Sequence, residues 1–269
     1  MPSDNRRTIA LVTGATAGLG AEFARRLAER GHALILVARN AERLAETSAA
    51  LASAHGVEVE TIAVDLATDA GVDHVVARLG HVPSIDILVN NAGFGTLGEL
   101  FSADGGVQDE MVRLHVLAVH RLTQAALRGM VEAGRGTIIT VSSVASYLTS
   151  AGNMNYCATK AYQRVAMEAL SLEVGARGVY VQALCPGLTR TEFHQRASMR
   201  MDRIPNLLWM SAAAVVDASL SAMDVRGPTV VIPGFKNRAI LAVLRLLPQR
   251  LLSLGARMRL RHKLDADAH

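Results

Sequence analysis

Short apolar runs alternate with segments of helical periodicity through most of the chain. The runs have the length and composition of buried strands, and the segments between them repeat apolar residues at three- and four-residue spacing. This alternation is typical of a parallel sheet covered by helices on both faces. The predicted strands are 8–13, 33–38, 57–64, 85–90, 137–142, 180–185 and 229–233, and the predicted helices are 19–30, 41–55, 70–79, 108–133 and 156–176.

These elements predict an α/β fold in which one doubly wound domain spans residues 1–235. Its parallel sheet has seven predicted strands with helices on both faces. No linker and no internal repeat divides the 269 residues into two such domains. Ligands of these sheets bind at the carboxyl ends of the strands, where the winding reverses, so the turns at that edge are the places to search for chemistry.

Composition excludes several classes of protein. Hydrophobic residues make up 50% of the chain, which excludes disorder, and no apolar run approaches the roughly 18 residues of a membrane-spanning helix. Residues 1–8 lack the apolar core of a signal peptide, so we expect a cytoplasmic protein. Two cysteines, Cys157 and Cys185, are too few for a disulfide framework or a four-cysteine zinc site. We expect both thiols to be buried and reduced, and no metal site is predicted.

The net charge of +4 comes from the end of the chain. Residues 236–263 contain eight Lys and Arg and no Asp or Glu, whereas residues 1–235 hold 20 basic and 22 acidic residues. Only 4% of the residues are aromatic, and no basic face with stacking aromatics is recognisable. We therefore expect no nucleic-acid partner.

A glycine-rich turn follows the first predicted strand. Residues 13–20 read Thr-Gly-Ala-Thr-Ala-Gly-Leu-Gly and lead into a helical pattern. Gly14 permits a positive φ, while Gly18 and Gly20 let the backbone approach a pyrophosphate at the helix N-terminus. The context is that of a dinucleotide-binding Rossmann domain, although the same spacing also fits an ordinary strand-to-helix turn.

The second predicted strand ends in Ala38-Arg39, at the place where an acidic residue would bind the ribose 2′-hydroxyl of NAD(H). Arg39 would instead attract the 2′-phosphate of NADP(H) through a charge-assisted pair. We therefore expect NADP(H) rather than NAD(H) as the cofactor. The alternative is that Arg39 is a solvated surface charge.

Further motifs follow the later strands in order: Asp65-Leu66, Asn90-Asn91-Ala92-Gly93, Ser143, Tyr156-x-x-x-Lys160 and Pro186-Gly187-Leu188-Thr189-Arg190-Thr191. Together with the glycine turn, they make the chain resemble the classical short-chain dehydrogenase/reductase family up to about Pro233. The resemblance implies a set of cofactor-binding residues. They are Gly14, Thr16, Ala17, Gly18, Leu19, Gly20, Arg39, Asp65, Leu66, Asn91, Ala92, Gly93, Tyr156, Lys160, Pro186, Gly187, Leu188, Thr189 and Thr191.

Three side chains have the chemistry of carbonyl reduction. Reduction leaves an alkoxide that needs a proton, and a free phenol with a pKa of about 10 donates it slowly near neutral pH. Lys160 follows Tyr156 by one helical turn, so its ammonium is expected to lower the pKa of the phenol and make Tyr156 the catalytic acid/base. By resemblance, Lys160 also holds the nicotinamide ribose, and Ser143 hydrogen-bonds the substrate oxygen. Alternation along the strand implies that only one of Ser142 and Ser143 faces the cleft.

His115 departs from the family pattern. Family members commonly have an Asn at this place, where a helical distortion and a water link the catalytic Lys to solvent. An imidazole with a near-neutral pKa is able to relay a proton to Lys160, which places His115 among the expected catalytic residues. The alternative is a buried histidine that fills the space without taking part in chemistry.

The loop after Thr191 resembles the segment that folds over substrate in the family. Its apolar, methionine-containing composition favours a hydrophobic ketone or aldehyde and the corresponding alcohol. The apolar side chains are Phe193, Met199, Met201, Ile204, Pro205, Leu207, Leu208 and Trp209.

Residues 236–269 are predicted to form a C-terminal helical extension, with two amphipathic helices over 236–263 interrupted near Pro248. Three roles remain open: packing over the active-site cleft or a neighbouring subunit, peripheral attachment to anionic lipid, or a solvated basic tail. The resemblance also implies a homodimer or homotetramer that assembles through the helices 108–133 and 156–176.

The sequence as a whole predicts an NADP(H)-dependent oxidoreductase that interconverts a hydrophobic ketone or aldehyde and its alcohol. The main alternative is a dinucleotide-binding sensor or scaffold with little turnover. Epimerase or dehydratase chemistry on a nucleotide sugar is the third interpretation. The expected location is the cytoplasm, with peripheral membrane contact if the extension binds lipid.

Overall fold

The computed structural model describes residues 8–80, 85–96, 98–192 and 205–246, with the backbone alone at Leu207 and at residues 244–246. Strands and helices alternate as the sequence predicts. The strands are β1 (Ile9–Thr13), β2 (Ala33–Ala38), β3 (Val59–Ala63), β4 (Ile87–Asn90), β5 (Gly136–Val141), β6 (Val179–Leu184), β7 (Thr189–Arg190), β8 (Met210–Ser211) and β9 (Val230–Val231).

The α-helices are α1 (Gly18–Glu29), α2 (Ala41–His55), α3 (Asp69–Leu79), α4 (Gly105–Val112), α5 (Val119–Glu132), α6 (Met154–Val174), α7 (Ala212–Asp224) and α8 (Phe235–Leu246). Arg113–Ala118 is a π-helical segment between α4 and α5. Short 3₁₀ turns cover Val144–Tyr147, Gly175–Arg177 and Asn206–Leu208.

Seven strands form one sheet in the order β3-β2-β1-β4-β5-β6-β9, and every neighbouring pair is parallel. After β1 the chain builds one side of the sheet with β2 and β3, then returns to place β4 against the other edge of β1. The winding therefore reverses between β1 and β4. The predicted doubly wound fold with a seven-stranded parallel sheet is confirmed.

Apolar clusters cover both faces of the sheet. On one face, Phe23 and Leu27 of α1 pack with Val215 of α7, and on the other, Leu122 of α5 packs with Met167 of α6. Each is at most 3% exposed. Full burial of such a side chain stabilises the fold by about 1.5–3 kcal/mol. These clusters hold the carboxyl ends of the strands at fixed positions.

Several elements differ from the prediction, among them β7 and β8, which pair with each other and were not predicted. The helix predicted over 108–133 is interrupted by the π segment, and α7 was not predicted because its alanine-rich sequence has a weak apolar period. The strand predicted over 229–233 is reduced to Val230–Val231. Pro228 and Pro233 flank it, and a proline has no N–H to donate to a neighbouring strand.

Helix α8 is the first helix of the predicted extension. It packs against the 3₁₀ turn Val144–Tyr147, and its Leu241 is 4% exposed. The second predicted helix and residues 193–204 of the substrate loop lie outside the described residues. Within the described ranges, no helix combines the length and apolar character that crossing a membrane requires.

Candidate active site

The glycine turn lies at the carboxyl end of β1, where the winding reverses. Gly14 and Gly18 have φ values of +67° and +54°, which side chains rarely tolerate. Gly20 has no room for a side chain, since a Cβ there would collide with the carbonyl oxygen of Gly14 and the side-chain amide of Asn91. The turn therefore requires glycine for both conformation and space.

Thr13 and Asn91 hold this turn against β4. Thr13 Oγ1 accepts hydrogen bonds from the backbone N–H groups of Asn91 and Ala92 at 2.9 and 3.0 Å. The Asn91 amide donates to the carbonyl oxygens of Thr13 and Gly14 at 2.8 and 3.3 Å. The predicted cofactor residues of β1 and β4 are thus one hydrogen-bonded unit.

The turn fits a dinucleotide phosphate. Helix α1 begins after Ala17, and no side chain caps its N-terminus. Backbone N–H groups at an uncapped helix N-terminus attract an anion. The side chain of Thr191 lies next to Gly18, where an added Cβ would come within 3.1 Å of it.

Arg39 lies at the end of β2 and is largely exposed, with 69% of its side chain accessible. Its Nη1 is 3.8 Å from Asp65 Oδ2, a loose ion pair, while Asp65 Oδ1 accepts from the backbone N–H of Ala67 at 2.9 Å. Arg43 lies near the same turn and donates to Glu192 and to the carbonyl oxygen of Thr16.

Three predicted cofactor residues make contacts within the protein itself. The side chain of Leu66 is buried in the core. Thr189 donates its hydroxyl to the Gly187 carbonyl oxygen at 3.0 Å. Pro186 accepts from the Val144 N–H at 3.0 Å and so joins this loop to the one after β5.

The two serines after β5 point in different directions, as alternation predicts. Ser142 is 2% exposed and donates to the Lys160 carbonyl oxygen at 2.7 Å. Ser143 is half-buried, accepts from the Ala145 N–H, and hydrogen-bonds the side chain of Tyr156. Ser143 is therefore the serine beside the phenol.

Lys160 is buried on the same face of α6 as Tyr156. Its Nζ donates to the Val141 carbonyl oxygen at 2.7 Å and to Gln163 Oε1 at 3.0 Å, and it lies 5.8 Å from the centre of the Tyr156 ring. The side chain of Lys160 is within reach of the phenol, and Ser143 lies against the phenol from another element.

Burial has the largest effect on the pKa values of Tyr156 and Lys160. It raises the pKa of Tyr156 to about 12, with a smaller lowering from the Ser143 hydrogen bond, and it lowers the pKa of Lys160 to about 7. The expected lowering of the phenol's pKa is thus wrong for the protein alone. Its physical reason is that both groups have lost water, so near neutral pH the ammonium is only partly populated.

His115 lies in the π segment and is completely buried. Its Nε2 accepts from the Phe94 N–H at 3.2 Å, and its Nδ1 lies 3.0 Å from Thr159 Oγ1. Burial first, and the nearby Lys160 second, keep the pKa of His115 well below its usual 6.5. Both ring nitrogens already have partners, which favours the space-filling alternative; the relay role stays a prediction.

The family model described as "short chain dehydrogenase" matches residues 8–202. The chain belongs to the short-chain dehydrogenase family. It is 31% identical over 199 residues to the very-long-chain 3-oxoacyl-CoA reductase of Mus musculus, a match that covers 72% of this chain and 63% of that protein. The chain thus spans less than two thirds of the length of that relative.

Two solved structures, one of a short-chain dehydrogenase and one of an alcohol dehydrogenase, are similar to this chain over most of its length. One is a short-chain dehydrogenase from Sphingobium yanoikuyae in complex with NADPH, 35% identical with a TM-score of 0.82, covering 91% of this chain and 95% of that one. The other is a bulky-bulky ketone specific alcohol dehydrogenase from Comamonas testosteroni, 31% identical with a TM-score of 0.76, covering 96% and 94%.

Several residues of this short-chain dehydrogenase site were missed in the sequence. Thr13 and Gln163 make hydrogen bonds within the site, and Thr159 holds the imidazole of His115. Gln163 had a visible signal, because a polar residue three positions after Lys160 lies on the same buried helix face. Both cysteines are buried and unpaired, as expected.

Proposed function

We propose that this short-chain dehydrogenase is an NADP(H)-dependent oxidoreductase that interconverts a hydrophobic ketone or aldehyde and its alcohol. The observation that carries the proposal is the grouping of Ser143, Tyr156 and Lys160 at the same sheet edge as the uncapped glycine turn. Relatives named as reductases and dehydrogenases support it.

In this proposal, Tyr156 donates a proton to the substrate oxygen during reduction and accepts it back during oxidation. Ser143 donates a hydrogen bond to the same oxygen as negative charge develops there. Lys160 favours the phenolate when it is protonated. When bound, the nicotinamide ring supplies or accepts the hydride.

The residues that would hold the dinucleotide are those of the glycine turn, the Asn91 strand end and Lys160. The exposed guanidinium of Arg39 supports NADP(H), because its ion pair with Asp65 is loose and its side chain is mostly accessible. A charge-assisted pair with a 2′-phosphate is stronger than such a surface pair. The NADPH complex of the Sphingobium relative agrees with this preference.

A hydrophobic substrate is supported by the apolar surroundings of α6. Leu148 and Met154 are 37% and 47% exposed close to Tyr156 in sequence, and the Comamonas relative is named for a bulky ketone. Apolar side chains with few polar groups are the usual lining of a site for such a ligand.

We propose that residues 1–235 form the cofactor-binding and catalytic domain and that the extension begins with α8 as part of the cleft. Asn237 lies against Gly187, where a Cβ would approach within 2.6 Å of its amide, and donates to the Pro233 carbonyl oxygen. The packing of α8 on Val144–Tyr147 supports the first of the three roles considered for the extension.

We also propose a homo-oligomer that assembles through α6. This helix exposes Tyr162, Val165 and Leu172, the last of which is 87% exposed. Contiguous apolar side chains on a helix face mark an interaction surface. Leu172→Glu is expected to lower the mass measured by light scattering; an unchanged mass would contradict this assembly.

The function is tested by titrating the protein with NADPH and NADH and then following NADPH consumption. The substrate panel contains bulky hydrophobic ketones, aldehydes and one polar keto acid. Preferential binding of NADPH and turnover of the hydrophobic members are expected. Tight NADPH binding without turnover on any member supports the sensor alternative, and turnover of the polar acid alone contradicts the proposed substrate class.

A further inference from the structure

Gln163 is a buried polar side chain to which the proposed reaction gives no role. It lies three residues after Lys160 on α6 and is 1% exposed. Its Oε1 accepts from Lys160 Nζ at 3.0 Å, and its Nε2 donates to the His115 carbonyl oxygen at 2.9 Å. Both ends of the amide are used inside the protein.

The two neighbours fix the orientation of this amide. An ammonium group has only donors, and a backbone carbonyl is only an acceptor. Exchanging Oε1 and Nε2 would place donor against donor at Lys160 and acceptor against acceptor at His115. Gln163 therefore presents an acceptor to the ammonium.

Few other groups stabilise a charge on Lys160. Its side chain is 4% exposed, and the second acceptor described for Nζ is the Val141 carbonyl oxygen. The titratable groups that face it among the described residues are Tyr156 on its own helix, His115 on the π segment and Cys185 after β6. None of these three is a carboxylate, so the two neutral oxygens carry most of the stabilisation of the ammonium.

Residues on both sides of Lys160 also hold the π segment. Thr159 hydrogen-bonds the imidazole of His115, and Gln163 hydrogen-bonds the carbonyl oxygen of the same residue. The π segment, the end of β5 and α6 thus meet at Lys160 through hydrogen bonds.

We propose that Gln163 is a positioning residue that favours the charged form of Lys160 and holds its ammonium in place beside Tyr156. The inference rests on the proposed function for its catalytic consequence. The effect of Gln163 on the protonation of Lys160 does not depend on that function, and it is measured separately in the protein without cofactor.

The chain has three lysines, Lys160, Lys236 and Lys263, which makes a direct measurement practical. Protein labelled with ¹³C in the lysine side chains gives three signals by NMR, and the signal missing from Lys160→Met is that of Lys160. Its chemical shift is followed against pH without cofactor. Burial predicts a midpoint near the pKa of about 7.

Gln163→Met is nearly isosteric and removes both hydrogen bonds. The Lys160 midpoint is expected to fall by about one pH unit, a tenfold loss of ammonium at a pH above both midpoints. Gln163→Glu keeps an acceptor toward Nζ, so its midpoint is expected at or above that of the wild type. Met167→Ala, one turn farther on the buried face of α6, is the matched control and is expected to leave the midpoint unchanged.

An unchanged midpoint in folded Gln163→Met, or an equal fall in Met167→Ala, would overturn the proposal. If Gln163→Met does not fold, a midpoint in Gln163→Glu below that of the wild type overturns it as well. In the active enzyme, the alkaline limb of kcat for ketone reduction is expected to move to lower pH in Gln163→Met. A wild-type protein without turnover would instead contradict the proposed function and leave the NMR result intact.

Discussion

The two sides of the candidate site are built from different interactions. On the glycine-turn side, Gly14, Gly20 and Asn91 are fixed by backbone conformation and lack of space, and the charge nearby, Arg39, is exposed. On the α6 side, Lys160 and His115 are buried polar groups, each held by hydrogen bonds from other elements.

This difference indicates how each side performs its proposed task. The glycine turn works only if Gly14 and Gly20 have no side chains, because the dinucleotide must approach the backbone there. The α6 side requires buried groups whose protonation is set by few neighbours, because a low-polarity environment amplifies each hydrogen bond and charge. Substitutions on the first side should therefore change binding, and those on the second side should change turnover and pH dependence.

Removal of the Ser143 hydroxyl is expected to lower turnover strongly without a matching change in cofactor binding. Loss of one donor to a developing oxyanion lowers kcat by about 10²–10³-fold. Ser143→Ala should show this loss with unchanged NADPH affinity. Ser142→Ala, which loses a hydrogen bond to the Lys160 backbone, is the control. Equal loss of kcat in the two variants, measured by steady-state kinetics, would contradict the assignment of Ser143.

Gly20→Ala tests the glycine-turn side. The added methyl group collides with the Gly14 carbonyl oxygen and Asn91, and overpacking of this kind costs about 1–3 kcal/mol of stability. NADPH affinity measured by fluorescence titration should fall about tenfold or more. The reason is that the added methyl group displaces the turn, and the protein must restore the original conformation of the turn to bind the dinucleotide. Gly175→Ala, where a Cβ meets open space, should keep both properties. A wild-type NADPH affinity in Gly20→Ala would contradict the proposal that dinucleotide binding requires glycine at this position.

Arg39→Ala tests the exposed charge on that same side. The loss of one charge-assisted pair with a 2′-phosphate should weaken NADPH binding about tenfold, which corresponds to about 1.4 kcal/mol. NADH affinity should stay nearly constant. Arg30, which pairs with Asp224 at the far end of α1, provides the control Arg30→Ala. Equal losses of affinity for NADPH and NADH would show that Arg39 does not bind the 2′-phosphate.

The smallest expected effect concerns the stability of the α6 side in acid. Because His115 is held neutral in the fold, the unfolded chain binds a proton that the folded one does not as the pH falls below about 6.5. This residue's contribution is fully present above that pH and declines by about 1.4 kcal/mol per pH unit below it. Urea unfolding between pH 7 and 5 should therefore show a shallower decline for His115→Asn. The same slope in both proteins would mean that His115 is protonated in the fold.

The sequence was sufficient for the features that depend on local chemistry. The alternation of strands and helices, the glycine turn and the different directions of Ser142 and Ser143 follow from periodicity and backbone sterics, which act over a few residues. The strand predicted over 229–233 was longer than β9, because the prolines on both sides of β9 have no N–H for strand pairing.

The features that were missed depend on contacts between distant segments. The partners of His115 and the amide of Gln163 arise where α6 meets the chain about forty to fifty residues earlier, and the separations of 44 and 48 residues carry no local pattern. The pKa of Tyr156 was mispredicted for the same reason, since burial is a property of the folded protein. Spacing alone places Lys160 near the phenol but does not give the dielectric environment of the pair.

In the proposed function, Tyr156 transfers the proton, while the glycine turn, the Asn91 strand end and Lys160 bind the dinucleotide. The most direct test of this assignment is a comparison of wild type and Tyr156→Phe in NADPH titration and in NADPH consumption with the best ketone of the panel. We expect NADPH affinity within about threefold of wild type and a loss of kcat of about 10²–10⁴-fold, the contribution of a positioned acid. Turnover that survives in Tyr156→Phe would contradict this assignment.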